Sequence, residues 1–117
     1  MKKRTLFLAM TALMITMTSG GSLTAVYADE IPTEAAETSE STELPIVLYN
    51  VPGRTGVNMT AETTLRIARD LKNVIAIKEA SGNITQMDDI IKNKPANFEV
   101  ISGDDGITFP LITLGAV

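Results

Sequence analysis

Three short apolar runs constrain this chain more than any other feature: residues 44–49 (LPIVLY), 74–77 (VIAI) and 98–101 (FEVI). Each is followed by a polar turn and then by a stretch with helical spacing. Near-continuous apolar runs of this length are expected of strands covered on both faces, as in parallel sheets flanked by helices. Pro45 stands at the start of the first run, where a missing N–H is tolerated. Between the first and second runs, Thr60 is placed to cap a helix over residues 61–71, with Leu65, Ala68 and Leu71 on its inner face. Between the second and third, Asn83 and Gln86 have the spacing of a capping box, and Ile84, Met87, Ile90 and Ile91 form an apolar stripe. After the third, Thr108 is placed to cap a last helix that carries Pro110 in its first turn and runs on to Val117. Strand–helix alternation with short connections predicts an α/β fold with a parallel sheet. Doubly wound sheets and barrels both satisfy the pattern. The chain has 117 residues, whereas a complete eight-unit barrel typically needs about 250.

The sequence before residue 44 has a different character. Lys2, Lys3 and Arg4 are the only charges ahead of Asp29, and residues 6–17 are mostly apolar. A basic start, an apolar run too short to span a bilayer comfortably, the Gly20-Gly21 break and the small residues around Ala28 follow the order of an export signal. Residues 1–28 are therefore expected to form a signal-like helix, cleaved after Ala28, with transient membrane targeting as its role. Residues 29–43 carry Asp29, Glu30, Glu34, Glu37, Glu40 and Glu43 with no base. Such a stretch has little apolar area to offset its ordering entropy, and a disordered acidic linker is expected there. The sequence thus divides into a signal-like segment (1–28), a linker (29–43) and an α/β segment (44–117).

Composition removes whole classes of function. The chain has no cysteine and no histidine, so disulfides, thiolate zinc sites, cysteine nucleophiles and histidine triads are excluded. Acid–base chemistry falls to Asp, Glu, Lys, Tyr or water. The formal net charge of -4, with two Tyr, three Phe and no Trp, gives neither the basic footprint nor the stacking surface of a nucleic-acid binder.

Polar groups collect where each predicted strand ends: Tyr49-Asn50, Lys78-Glu79 and Ser102-Gly103-Asp104-Asp105. In parallel α/β folds these ends share one rim and build the active site. A lysine at the end of an apolar strand is partly desolvated, which favours the neutral amine that can attack a ketone and form a Schiff base. Taken alone, such a lysine is more often a solvated charge. A neighbouring phenol, as at Tyr49, can relay protons during imine formation. Arg54, in the loop after Tyr49, has the geometry to hold a carboxylate bidentately, and equally that of a solvated loop arginine. The Gly103-Asp104-Asp105-Gly106 turn lacks both the length of a calcium loop and the Lys-Ser/Thr ending of a phosphate loop.

Tyr49-Asn50-Val51-Pro52, followed by Ile75-Ala76-Ile77-Lys78-Glu79-Ala80, resembles the signature of the dihydrodipicolinate synthase and N-acetylneuraminate lyase superfamily. The resemblance covers residues 44–117 and implies a partial (β/α)8 barrel made of the fifth to seventh units. It implies that Lys78 forms the imine with pyruvate and that Tyr49 is the proton donor and acceptor. Arg54 favours the synthase branch and would bind the carboxylate of aspartate semialdehyde, with Gly103 and Asp104 lining the pocket. The implied reaction belongs to lysine and diaminopimelate biosynthesis, with no cofactor or metal beyond the covalent imine. Intact members are commonly homotetramers and cytoplasmic, which conflicts with the export-like start. The family's Gly-Thr-Thr-Gly-Glu loop, which holds the pyruvate carboxylate, is not in this sequence. Two expectations follow. One is a synthase segment with negligible turnover on its own. The other is a non-enzymatic exported fusion that carries a barrel remnant.

Overall fold

The computed structural model describes residues 6–9 and 33–117. Four strands form one parallel sheet in chain order. They are β1 (Leu6–Ala9), β2 (Ile46–Asn50), β3 (Val74–Glu79) and β4 (Glu99–Ser102). The helices are α1 (Thr33–Ser41), α2 (Pro52–Thr55), α3 (Ala61–Asp70), α4 (Ile84–Asn93) and α5 (Thr108–Leu114), with a 3-10 turn over Asp105–Ile107. The three apolar runs are β2 to β4, and the α/β expectation for residues 44–117 holds.

Alternation along each strand sorts its side chains onto two faces. Ile46, Leu48, Ile77 and Val100 point to the helix side. There they join Leu65, Ile67, Met87, Ile90, Phe98 and Leu111 in a single buried core. Fully burying a side chain of this size contributes about 1.5–3 kcal/mol. Val47, Tyr49, Ala76, Lys78 and Ile101 fall on the opposite face, the one a closed barrel would turn inward.

The helix caps follow the sequence closely. Thr60 caps α3 by accepting from the Thr63 N–H at 3.3 Å. Asn83 caps α4 by accepting from the Gln86 N–H at 3.1 Å. The return half of that capping box is not made. The Asn83 N–H donates to Ser81 Oγ at 3.2 Å, and the Gln86 side chain turns elsewhere. At α5 the cap is Ile107, and Thr108 is the first helical residue. Its hydroxyl donates to Ser102 Oγ at 2.8 Å and to the Asp104 carbonyl at 2.9 Å. Nor does α5 run on to Val117. Gly115, at φ 112°, ends it in the left-handed conformation, and the Val117 N–H donates to the Val100 carbonyl at 2.9 Å.

Two expectations for the amino-terminal part are corrected. Leu6–Ala9 lie inside the apolar run expected to be helical, yet they pair in parallel with Ile46–Tyr49 of β2. The physical reason is the edge of β2, whose unpaired N–H and C=O groups accept an apolar strand readily. Residues 10–32, with the Gly20-Gly21 break and the Ala28 cleavage position, lie outside the described residues. The acidic stretch expected to be unstructured contains α1. Ala35 is buried in the main core. The Asn73 side chain donates to the Ser39 and Thr42 carbonyls at 3.0 and 2.8 Å and accepts from the Ser39 hydroxyl. One buried alanine and one distant capping side chain tie down a helix that local composition disfavours. Among the described residues, no helix is long and apolar enough to cross a membrane.

Candidate active site

The rim at the carboxyl ends of β2, β3 and β4 is stitched one residue beyond the strands. The Ala80 N–H donates to the Asn50 carbonyl at 2.8 Å, and the Gly103 N–H donates to the Glu79 carbonyl at 2.7 Å. A Cβ at Gly103 would lie 2.8 Å from Ala80 Cβ and 3.0 Å from the Glu79 carbonyl oxygen. Only glycine lets β4 leave the sheet this close to β3.

Tyr49 and Lys78 are register partners across β2 and β3, and Lys78 and Ile101 across β3 and β4. Both Tyr49 and Lys78 are half-buried. Lys78 Nζ stands over the Tyr49 ring, 4.7 Å from its centroid, within the range of a cation–π contact. The strand ends therefore bring these two residues together. Arg54 lies exposed in α2, immediately after β2. Asp104 is exposed and caps the 3-10 turn, its Oδ1 accepting from the Gly106 N–H at 2.9 Å. Neither Arg54 nor Asp104 has a hydrogen bond or ion pair to Tyr49 or Lys78 among the described residues. A shallow depression lined in part by Ala61, Asn83, Gln86 and Lys92 opens where α3 and α4 begin, and it includes neither Tyr49 nor Lys78. Among the described residues, no group of three or more Asp and Glu is placed to hold a metal ion.

One cluster escaped the sequence reading. Glu79 is fully buried and Asn50 nearly so, at 0% and 2% exposure. Glu79 Oε1 accepts from the Ser81 N–H at 2.8 Å and from Asn50 Nδ2 at 3.1 Å. Its Oε2 accepts from Asn50 Nδ2 and from Gln86 Nε2, each at 3.1 Å. Asn50 Oδ1 accepts from the Met59 N–H at 3.0 Å. Gln86 Nε2 also reaches the Met59 carbonyl at 3.0 Å, and Asn58 Nδ2 donates to Gln86 Oε1 at 2.9 Å. The available signal was parity. Asn50 and Glu79 each follow an inward-facing residue by one position, so both must face the core side, where an unpartnered polar group is costly.

A parallel βα segment whose strand-end lysine stands against a strand-end tyrosine defines a class, the parallel α/β proteins that carry a lysine and a tyrosine side by side at their strand ends. Residues 27–117 match the Dihydrodipicolinate synthetase family, and the chain belongs to that family. The match begins upstream of residue 44, so the family segment takes in α1 as well. The chain is 90% identical over 79 residues to the 4-hydroxy-tetrahydrodipicolinate synthase of Phocaeicola vulgatus and 86% identical over 79 residues to that of Parabacteroides distasonis. Each match covers 68% of this chain and 27% of the relative. Among solved structures, the dihydrodipicolinate synthase of Thermotoga maritima superposes with a TM-score of 0.66 at 51% identity, covering 68% of this chain and 28% of that one. A Bacillus anthracis dihydrodipicolinate synthase gives 0.69 at 42% identity, covering 72% and 28%. The chain thus spans little more than a quarter of the length of its relatives.

Proposed function

We propose that this segment carries the imine-forming half of a 4-hydroxy-tetrahydrodipicolinate synthase site, which condenses pyruvate with aspartate semialdehyde. The observation that carries the reading is the Lys78–Tyr49 contact, 4.7 Å from ammonium to ring centroid, in a segment 90% identical to a protein of that name. In this reading the neutral Lys78 amine adds to the ketone carbon of pyruvate, and loss of water from the carbinolamine leaves the imine. Tyr49 passes protons to and from the carbinolamine oxygen and the pyruvate methyl carbon. The resulting enamine adds to the aldehyde carbon of the second substrate. Arg54 holds that substrate's carboxylate, and Gly103 and Asp104 form the adjoining wall.

Groups that hold the pyruvate carboxylate would come from the remainder of a barrel. The inward strand face with Lys78, and the outside of α5, where Phe109 is 78% and Ile112 54% exposed, are the surfaces such units would cover. Turnover by this chain alone is expected to be negligible. The test is pyruvate with borohydride, followed by peptide mass spectrometry. A reduced pyruvate adduct on Lys78, lost in Lys78→Arg, supports the reading. No adduct on Lys78 at saturating pyruvate overturns it.

A second reading concerns residues 1–28, for which we propose an export leader joined to the family segment, whose cleavage after Ala28 would take β1 away and leave β2 as the edge of the sheet. Its support is the family match, which begins at residue 27, beside the Ala28 cleavage position. Amino-terminal sequencing of the protein recovered from cells tests it. A start at Asp29 supports the reading, and retention of Met1 or Lys2 in secreted or envelope fractions overturns cleavage.

A further inference from the structure

We infer that Glu79 is a positioning residue: its buried carboxylate sets the register in which Lys78 and Tyr49 face one another. The inference rests on Lys78 as the reactive amine and adds how that amine is held. Glu79 follows Lys78 directly, and its main donor, Asn50, follows Tyr49. Asn50 and Glu79 are register partners, as are Tyr49 and Lys78. The pair behind the rim and the pair on its inner face are therefore consecutive rungs of one ladder. A one-residue slip of β3 against β2 would turn Lys78 onto the helix side.

The carboxylate gathers donors from three places: the end of β2 through Asn50, the turn after β3 through the Ser81 N–H, and the first turn of α4 through Gln86. The orientations of both amides are fixed elsewhere. Asn50 bonds both the N–H and, at 3.2 Å, the carbonyl of Met59. Gln86 is held by the Met59 carbonyl and by Asn58. Neither amide can flip to present an oxygen to Glu79 without breaking those bonds. The position therefore requires a group that only accepts, which an ionised carboxylate is and a glutamine is not. Glu79→Gln would set an amide N–H₂ against Asn50 Nδ2 or Gln86 Nε2 with almost no change in volume.

The test uses the full chain and two readouts. The first is the upfield ring-current shift that the Tyr49 ring imposes on the Lys78 ε-methylene protons, read by NMR. The second is the rate at which borohydride traps pyruvate on Lys78. In Glu79→Gln with native helical content by circular dichroism, the ring-current shift should collapse and the trapping rate should fall at least ten-fold. Phe98→Leu, a core change at the opposite end of β4, should lower the melting temperature while leaving both readouts in place. If Glu79→Gln does not fold, Gln86→Ala, which removes one donor, should reduce the ring-current shift and slow trapping about three-fold. A ring-current shift retained in the folded variant overturns the inference, as does its absence from the unmodified protein. If the unmodified protein shows the shift but gives no adduct, the reading of Lys78 as an imine lysine fails, and the NMR comparison still decides the role of Glu79.

Discussion

The two faces of the same strand ends could hardly be more different. On the inner face, Lys78 and Tyr49 meet only through an ammonium–ring contact at 4.7 Å and remain half-open. On the helix face, one residue further along each strand, Asn50 and Glu79 are buried with every side-chain polar atom paired. Reactivity asks for a group that can change partners during a reaction. Precision asks for one that cannot. A β-strand supplies both within two residues because its side chains alternate between faces.

The largest effect expected from breaking this division is on the inner face. Lys78→Arg should abolish the pyruvate adduct while moving stability by no more than about 0.5 kcal/mol, as seen by mass spectrometry and urea denaturation together. A loss of stability well beyond that would mean that the inner face also holds the fold. On the other face, Asn50→Ala leaves the Met59 N–H without its acceptor and takes one of the two donors from each Glu79 oxygen, the Ser81 N–H and Gln86 Nε2 remaining. Urea denaturation should show a cost of about 3 kcal/mol, since one orphaned buried group costs about 1–3 kcal/mol and a lost hydrogen bond to a carboxylate about 1.5–3 kcal/mol. Gly103→Ala tests the stitching between faces. The added methyl meets the Glu79 carbonyl and Ala80 Cβ, neither of them the yielding end of a long side chain. A cost of about 2 kcal/mol is expected from overpacking, with weaker hydrogen-exchange protection of the Gly103 amide. The smallest effect belongs to Arg54→Ala, which should leave stability within about 0.5 kcal/mol and pyruvate trapping unchanged. Its consequence would appear only with the second substrate, in an assembly that completes the barrel.

The sequence was informative wherever the signal was local. Continuous apolar runs fixed β2 to β4, and Thr60 and Asn83 marked two helix starts, because a cap and its partner lie within three residues. The Lys78 and Tyr49 pairing was legible because strand ends in parallel folds converge. Local reading failed where the partner was remote. The helix α1 depends on Asn73, whose side chain meets Ser39 from 34 positions away, and on one buried alanine among acidic neighbours. The Glu79 cluster needs Asn50 from 29 positions away. Gln86 looked like half of a capping box because the box is a local motif, but its side chain is taken up by Glu79, Asn58 and Met59. The end of α5 was misplaced for a smaller reason. The stop is Gly115, at a positive φ, and the sequence reading carried the helix past it to Val117.

The order of the sheet follows the order of the chain, and this bears on inheritance. Where successive strands are spatial neighbours, a run of the gene is also a contiguous slab of the structure. Cutting or joining such a gene between units disturbs the seams at the slab's borders and leaves the pairings inside it intact. The Tyr49–Lys78 couple and the Asn50–Glu79 couple behind it sit within one such slab, on two strands separated by a single helix. They travel together through any rearrangement that keeps residues 46–79 whole, so Lys78 and Tyr49 are passed on with the buried pair packed behind them.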